Sequence, residues 1–286
     1  MHFGKVLIFG VGLIGASFAR GLKAAHAVDE IIGFGRTPKS LKAAYDLGVI
    51  DEVGINPGAD VREADLILVA TPVGQMPEIF ARIAPYLGEH TIVTDAGSTK
   101  GDVVEAARAA FGNKIGQFVP GHPIAGAETS GAVSSKVDLY QGRKVVLTPL
   151  LENAVADIEK VKRAWELCGA DVRILDAETH DRVFAAVSHL PHLLAYALVD
   201  ELAHRPNADQ LFDYAAAGFR DFTRIAGSHP EMWRDISLAN RTALLAELDR
   251  YSAALMRVRQ ALVNSDGDAL AAIYAHARDT RENWSH

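Results

Sequence analysis

Through the first half of the chain, short unbroken apolar runs alternate with longer stretches in which apolar residues recur at helical spacing. The runs are "KVLIFG" (Lys5 to Gly10), "EIIGF" (Glu30 to Phe34), "DLILVA" (Asp65 to Ala70), "TIVTD" (Thr91 to Asp95), "QFVPG" (Gln117 to Gly121) and "KVVLTP" (Lys144 to Pro149). Runs of this length without alternation read as strands covered on both faces, and the intervening segments as crossover helices. The order predicts an α/β domain in which six strands form one doubly wound parallel sheet.

After the short candidate strand "DVRIL" (Asp171 to Leu175), helical segments follow one another with few turn signals. The boundary is placed near Leu175, giving an α/β domain over 1–175 and an all-α domain over 176–286. In the second, Leu244, Leu248, Tyr251, Leu255, Val258 and Leu262 form a heptad seam on a helix expected from about Pro230 to Asn264. Such a seam needs a partner helix, supplied either by the same chain or by a second subunit.

Composition narrows the function. With 49% hydrophobic and 23% charged residues over 286 positions, the chain has apolar material for two domains of ordinary size. A net charge of −7 argues against nucleic acid as a partner, because phosphate backbones attract clustered cations. Cys168 is the only cysteine, so no intrachain disulfide forms, and a reducing cytoplasm is the expected setting. No run of about 18 apolar residues spans a bilayer, and the N-terminus reads as a first strand rather than a signal peptide.

The first turn of the α/β domain carries chemistry. In "FGVGLIGAS", Gly10, Gly12 and Gly15 form GxGxxG between a strand and a helix. The glycines permit a tight turn, close approach of a pyrophosphate and tight helix packing, and the backbone of Leu13 and Ile14 opens the helix toward the phosphates. A nicotinamide dinucleotide is the implied ligand. At the end of the second run, Gly35 stands where a carboxylate would select NAD, and Arg36 and Thr37 follow it. That favours NADP, with NAD as the alternative. Thr71 and Pro72, in "ATPV" after the third run, are expected to line the cofactor.

A second set of residues is suited to proton transfer. In "GHPIAG", His122 follows the fifth run, where ligands of open sheets bind, and its imidazole can accept a hydroxyl proton. Ser98, in "DAGSTKG", is a neutral partner for it, or else an N-cap of the next helix. In "SHLPH", His189 and His192 share a helical face, with Pro191 between them kinking or restarting the helix; no carboxylate stands at a ligand interval, so no metal is expected. In "GFRDFTRIAGSHPEMWRDI", Arg224 has the planar fork that binds a carboxylate, while Arg220 and Arg234 read as surface residues.

Taken together, "GVGLIGAS", "ATPV", "DAGSTKG", "GHPIAG", "SHLPH" and "GFRDFTRIAGSHPEMWRDI" resemble the prephenate dehydrogenase family, which includes arogenate and cyclohexadienyl dehydrogenases. The resemblance implies a Rossmann-type nucleotide domain, a helical dimerisation domain that makes a homodimer, and oxidative decarboxylation of prephenate or arogenate in tyrosine biosynthesis. It further implies that His122 accepts the proton, Ser98 bonds it, and Arg224 binds a substrate carboxylate. Glu128, His180, Asp181, His189, His192 and Trp233 would line or shape the pocket. A β-hydroxyacid dehydrogenase would need a lysine in the second half, and none follows Lys162. A dinucleotide-sensing regulator would have no use for His122, Ser98 and Arg224 together.

Overall fold

The computed structural model describes residues 1–126 and 131–284. It contains two compact units, Met1–Asn240 and Arg241–His286. In the first, strands β1 (Phe3–Phe9), β2 (Val28–Phe34), β3 (Glu52–Val53), β4 (Leu66–Val69), β5 (Ile92–Asp95) and β6 (Phe118–Val119) form a sheet of order β3-β2-β1-β4-β5-β6. Every pairing in it is parallel. Alternate residues of one strand feed opposite layers, which is why the strands are continuously apolar. Val6, Ile8, Leu66 and Leu68 pack with Phe18, Leu22 and Trp165 on one face. Leu7, Phe9, Ile67 and Val69 pack with Phe80, Phe111 and Phe118 on the other.

The sheet has the predicted architecture but not the predicted membership. "KVVLTP" belongs to a second sheet, as β8 (Lys144–Leu147) between an antiparallel β7 (Gly121–Pro123) and a parallel β9 (Asp171–Ile174). Its place in the main sheet is taken by β3, whose two residues carry no apolar run to betray them. "QFVPG" ends as a strand at Val119 because Pro120 has no N–H to continue the ladder. The Pro120 carbonyl instead accepts the Thr148 N–H at 3.0 Å, and the chain turns into β7. His122 therefore sits in the second sheet, opposite Val146.

The α-helices Ala177–Phe184 and Leu190–Ala203 are joined by a π-helical turn, Ala185–His189, so that Ala177–Ala203 runs as one helical stretch. Pro191 falls in its first turn after the wide segment, where a residue lacking N–H is tolerated; the chain widens here rather than breaking. The stretch is long and apolar enough by composition to cross a membrane, which a search for unbroken apolar runs passes over. It is tied to the α/β core by the buried polar bonds of His180 and Asp181 described below, groups that hydrocarbon would not accept unpaired.

The helix expected from Pro230 to Asn264 is two helices, Pro230–Ala239 and Arg241–Val263, interrupted at the buried Asn240. The second unit is a helical hairpin, Arg241–Val263 and Gly267–Asn283, with Ser265 at φ 54° and the Asp266 side chain accepting the Ala269 N–H at 2.9 Å. Of its heptad seam, Leu244 is buried, whereas Leu255 and Leu262 stay 51% and 59% exposed.

Candidate active site

Gly10 follows β1 with φ +95°, a left-handed conformation that suits glycine, and a Cβ there would fall 2.5 Å from the Ala70 carbonyl oxygen. A Cβ on Gly15 would fall 2.3 Å from the Gly10 oxygen, so helix and strand meet backbone to backbone. A Cβ on Gly12 would meet nothing within 4 Å. Two of the glycines thus close the turn and the third leaves an open approach. The helix Leu13–Ala24 starts at Gly12 with no side-chain cap and no acidic residue in its first turn, leaving its N–H groups for an anion. Leu13 and Ile14 lie in that turn. Thr71 and Pro72 follow β4 beside it, at the switch point between β1 and β4, and the buried Thr71 Oγ1 has no partner among the described residues. Arg36 and Thr37 are exposed beyond the end of β2, and Thr37 is the N-cap of the helix Pro38–Asp46 without making a side-chain cap bond.

His122 is almost fully buried, and its partner is a residue 58 positions away. His122 Nδ1 and His180 Nε2 are 2.8 Å apart, and His180 Nδ1 is 2.8 Å from Asp181 Oδ1. The bond directions follow from the end of the chain. Burial pushes the Asp181 carboxyl up, but the His180 bond and the Gly101 and Lys100 amides outweigh it, and the net shift is downward. Those amides donate to Asp181 at 2.8 Å each. As a carboxylate Asp181 only accepts, so His180 donates from Nδ1 and takes the His122 Nδ1–H on its Nε2. His122 Nε2 is left with a lone pair, the acceptor a base requires. Burial, followed by His180, Lys100 and His189, drives the His122 imidazole well below the usual histidine range. Phe184 packs edge-on against His122 at 4.9 Å and close to His180 at 4.5 Å, closing off water.

His189 is 1% exposed. Asn240 Nδ2 lies 2.8 Å from the Asp181 carbonyl, which can only accept, and 3.1 Å from His189 Nδ1. The amide nitrogen donates to both, so His189 carries its proton on Nε2. That N–H has no hydrogen-bond partner among the described residues; the Ser98 main chain lies near enough to favour the charged ring but completes no bond. Burial dominates and lowers the His189 pKa to about 4. His192 donates from Nδ1 to the Ser188 carbonyl at 2.8 Å and stacks on Trp233 with centroids 3.6 Å apart. Its pKa falls through burial and the nearby Arg224 charge, against the Ser188 bond that raises it. Arg224 is exposed and opens the 3-10 turn Arg224–Gly227.

The structure therefore gathers His122, His180, Asp181, His189, His192 and Trp233, with Arg224 beside His192. Glu128 lies outside the described residues. Ser98 is half-buried on the loop after β5 and makes no hydrogen bond to His122; His180 holds the position expected of it. Nor does Ser98 cap the next helix, since the amides of Lys100 and Gly101 are taken by Asp181 from across the fold. Sequence reading missed Asn240, whose buried amide interrupts a helix without any glycine or proline to signal it.

Comparison with known proteins fits this geometry. The sequence matches the profile of the prephenate dehydrogenase nucleotide-binding domain over residues 18–174 and that of the prephenate dehydrogenase dimerization domain over 176–276. It is 35% identical over 281 residues to cyclohexadienyl dehydrogenase of Zymomonas mobilis, covering 98% of this chain and 95% of that one. It is 36% identical over 279 residues to prephenate dehydrogenase of Bacillus subtilis, covering 97% and 75%. The crystal structure of prephenate dehydrogenase from A. aeolicus in complex with hydroxyphenyl propionate and NAD+ superposes with a TM-score of 0.92 at 38% identity, covering 99% of this chain and 98% of that one. A nucleotide-binding sheet, a helical region bearing three site histidines and a match to both domains along the chain together show that the protein belongs to the prephenate dehydrogenase family.

Proposed function

We propose that the protein oxidises and decarboxylates prephenate or arogenate with His122 as the base that takes the ring hydroxyl proton. The observation that carries this reading is the oriented series Asp181–His180–His122, which engages His122 through Nδ1 and leaves the lone pair on its Nε2 outside the series. Once His122 takes the proton, its Nδ1–H still points at His180, and Asp181 stabilises the charge through that ring. A bound nicotinamide dinucleotide supplies the hydride acceptor. Its phosphates fit the open face at Gly12 and the uncapped helix Leu13–Ala24, and Gly10, Gly15, Thr71 and Pro72 form the wall beside them. Loss of carbon dioxide makes the substrate ring aromatic and drives the reaction forward. Arg224 binds a substrate carboxylate, while Ser98, His189, His192, Trp233 and Glu128 shape the pocket. The functional division falls at Leu175, where β9 gives way to helices.

The test is direct. With prephenate or arogenate and an oxidised nicotinamide cofactor, absorbance of the reduced cofactor should rise; no reduction with either substrate and either cofactor rejects the reading.

NADP is the proposed cofactor, because Arg36 follows β2 with no carboxylate before it. Arg36→Ala should weaken NADP binding by about 1.5 to 3 kcal/mol, the range of a charge-assisted hydrogen bond, and leave NAD nearly unchanged. Equal losses for both cofactors would remove Arg36 from the phosphate site. The helices after Arg241 are proposed to join two copies, since Leu255 and Leu262 stay exposed in a seam built to be covered and the dimerization-domain match includes them. Light scattering should give twice the 30.7 kDa chain mass, and a monomer at micromolar concentration would contradict it. The proposed setting is the cytoplasm, where the buried Cys168 thiol stays reduced.

A further inference from the structure

Asp95 ends β5, and Lys100 stands at the start of the helix Gly101–Phe111; both side chains are fully buried and paired. Their bonds converge on one glycine. Asp95 Oδ1 accepts the Gly121 N–H at 3.0 Å, and Lys100 Nζ donates to the Gly121 carbonyl at 2.7 Å. That carbonyl belongs to the peptide joining Gly121 to His122. The loop is braced in turn, since Asp95 Oδ2 takes the Gly97 N–H at 2.7 Å. The backbone N–H of the same Lys100 donates to Asp181 at the far end of the histidine series. One residue thus touches both ends of the proton path: the Gly121 carbonyl preceding His122 through its ammonium and the carboxylate of Asp181 through its amide.

We propose that the buried Asp95–Lys100 pair is a positioning element for the base, fixing the Gly121–His122 peptide and setting the electrostatic surroundings of the two imidazoles. This rests on His122 being the base. The groups acting on His122 are His180, Lys100 and His189; those acting on His180 are Asp181, Asp95 and Lys100. Lys100 opposes protonation of both rings, and Asp95 offsets it only at His180, with the smallest of the effects there.

The pair is tested by neutral replacement of similar side-chain size, Asp95→Asn with Lys100→Gln, and by a second version, Asp95→Asn with Lys100→Met. Neutral side chains of similar volume commonly replace a buried ion pair without loss of the fold. In the folded double variant, cofactor affinity should match wild type, while the acid limb of kcat/KM should move up by on the order of one pH unit. An acid limb that stays in place in a folded double variant overturns the proposal, and so does failure of both versions to fold, which would make the pair a folding determinant. His122→Asn is the separate control. If that substitution keeps the wild-type limb, the limb does not belong to His122, and it is the assignment of the base that fails.

Discussion

Replacing His122 with asparagine is expected to lower turnover by about 10² to 10⁴, the usual contribution of a positioned general base. The phosphate-binding turn at Gly10 to Gly15 joins β1 to its helix, while His122 lies in β7, so cofactor affinity should stay within a factor of about two, as for sites with no shared partner. The pH profile carries the sharper prediction. A base works only when unprotonated, so activity is lost as pH falls through its pKa. Burial, His180, Lys100 and His189 all oppose protonation of His122, and the wild-type acid limb should therefore fall well below the ordinary histidine range. In the residual activity of His122→Asn that limb should vanish. Wild-type turnover together with an unchanged limb would show that His122 only completes a strand, and the proton would have to pass to another group.

Lys100→Met alone should destabilise the protein by about 3 to 5 kcal/mol, because it leaves the Asp95 carboxylate buried and uncompensated. Three hydrogen-bond donors reach Asp95 in the folded chain, and only the Lys100 ammonium carries charge. Urea unfolding monitored by circular dichroism should show the lower midpoint. Adding Asp95→Asn should recover most of the loss, since it removes the charge that has no partner. A single variant as stable as wild type would mean that Asp95 takes up a proton at little cost, or that water reaches the site. The same cycle separates two roles of one pair: stability returns in the double variant, whereas the effect on the base does not.

The features legible in the sequence are those fixed by near neighbours. GxGxxG is read from six contiguous positions because the constraint is local: Gly10 must turn with positive φ, and Gly15 must lie on the Gly10 carbonyl. The main strands are legible because both faces of the sheet are covered, so four or more apolar residues run together, as in Leu66–Val69. Helix content after Ile174 is legible for the corresponding reason at a longer period. His122, His189, His192, Arg224 and Trp233 stand out as polar or aromatic residues in short motif-like segments; His180 comes only from the resemblance, and Glu128 lies outside the described residues.

Pairing between distant residues is what the sequence withheld. Nothing near Lys144 says whether its strand joins the main sheet or the sheet of His122, because a strand's apolar run specifies burial and not its neighbour; Pro120 and the Thr148 bond decide it. Nothing near His122 selects His180 over Ser98, since hydrogen-bond direction depends on what Asp181 accepts on its other side. Asn240 reads as an ordinary helix residue until its side-chain amide is seen between the Asp181 carbonyl and His189, at the point where the predicted helix divides. Residue types and their local spacing determined which chemistry this chain could carry. The tertiary fold decided which nitrogen keeps a free lone pair, because that depends on a series of donors and acceptors contributed by segments far apart in sequence.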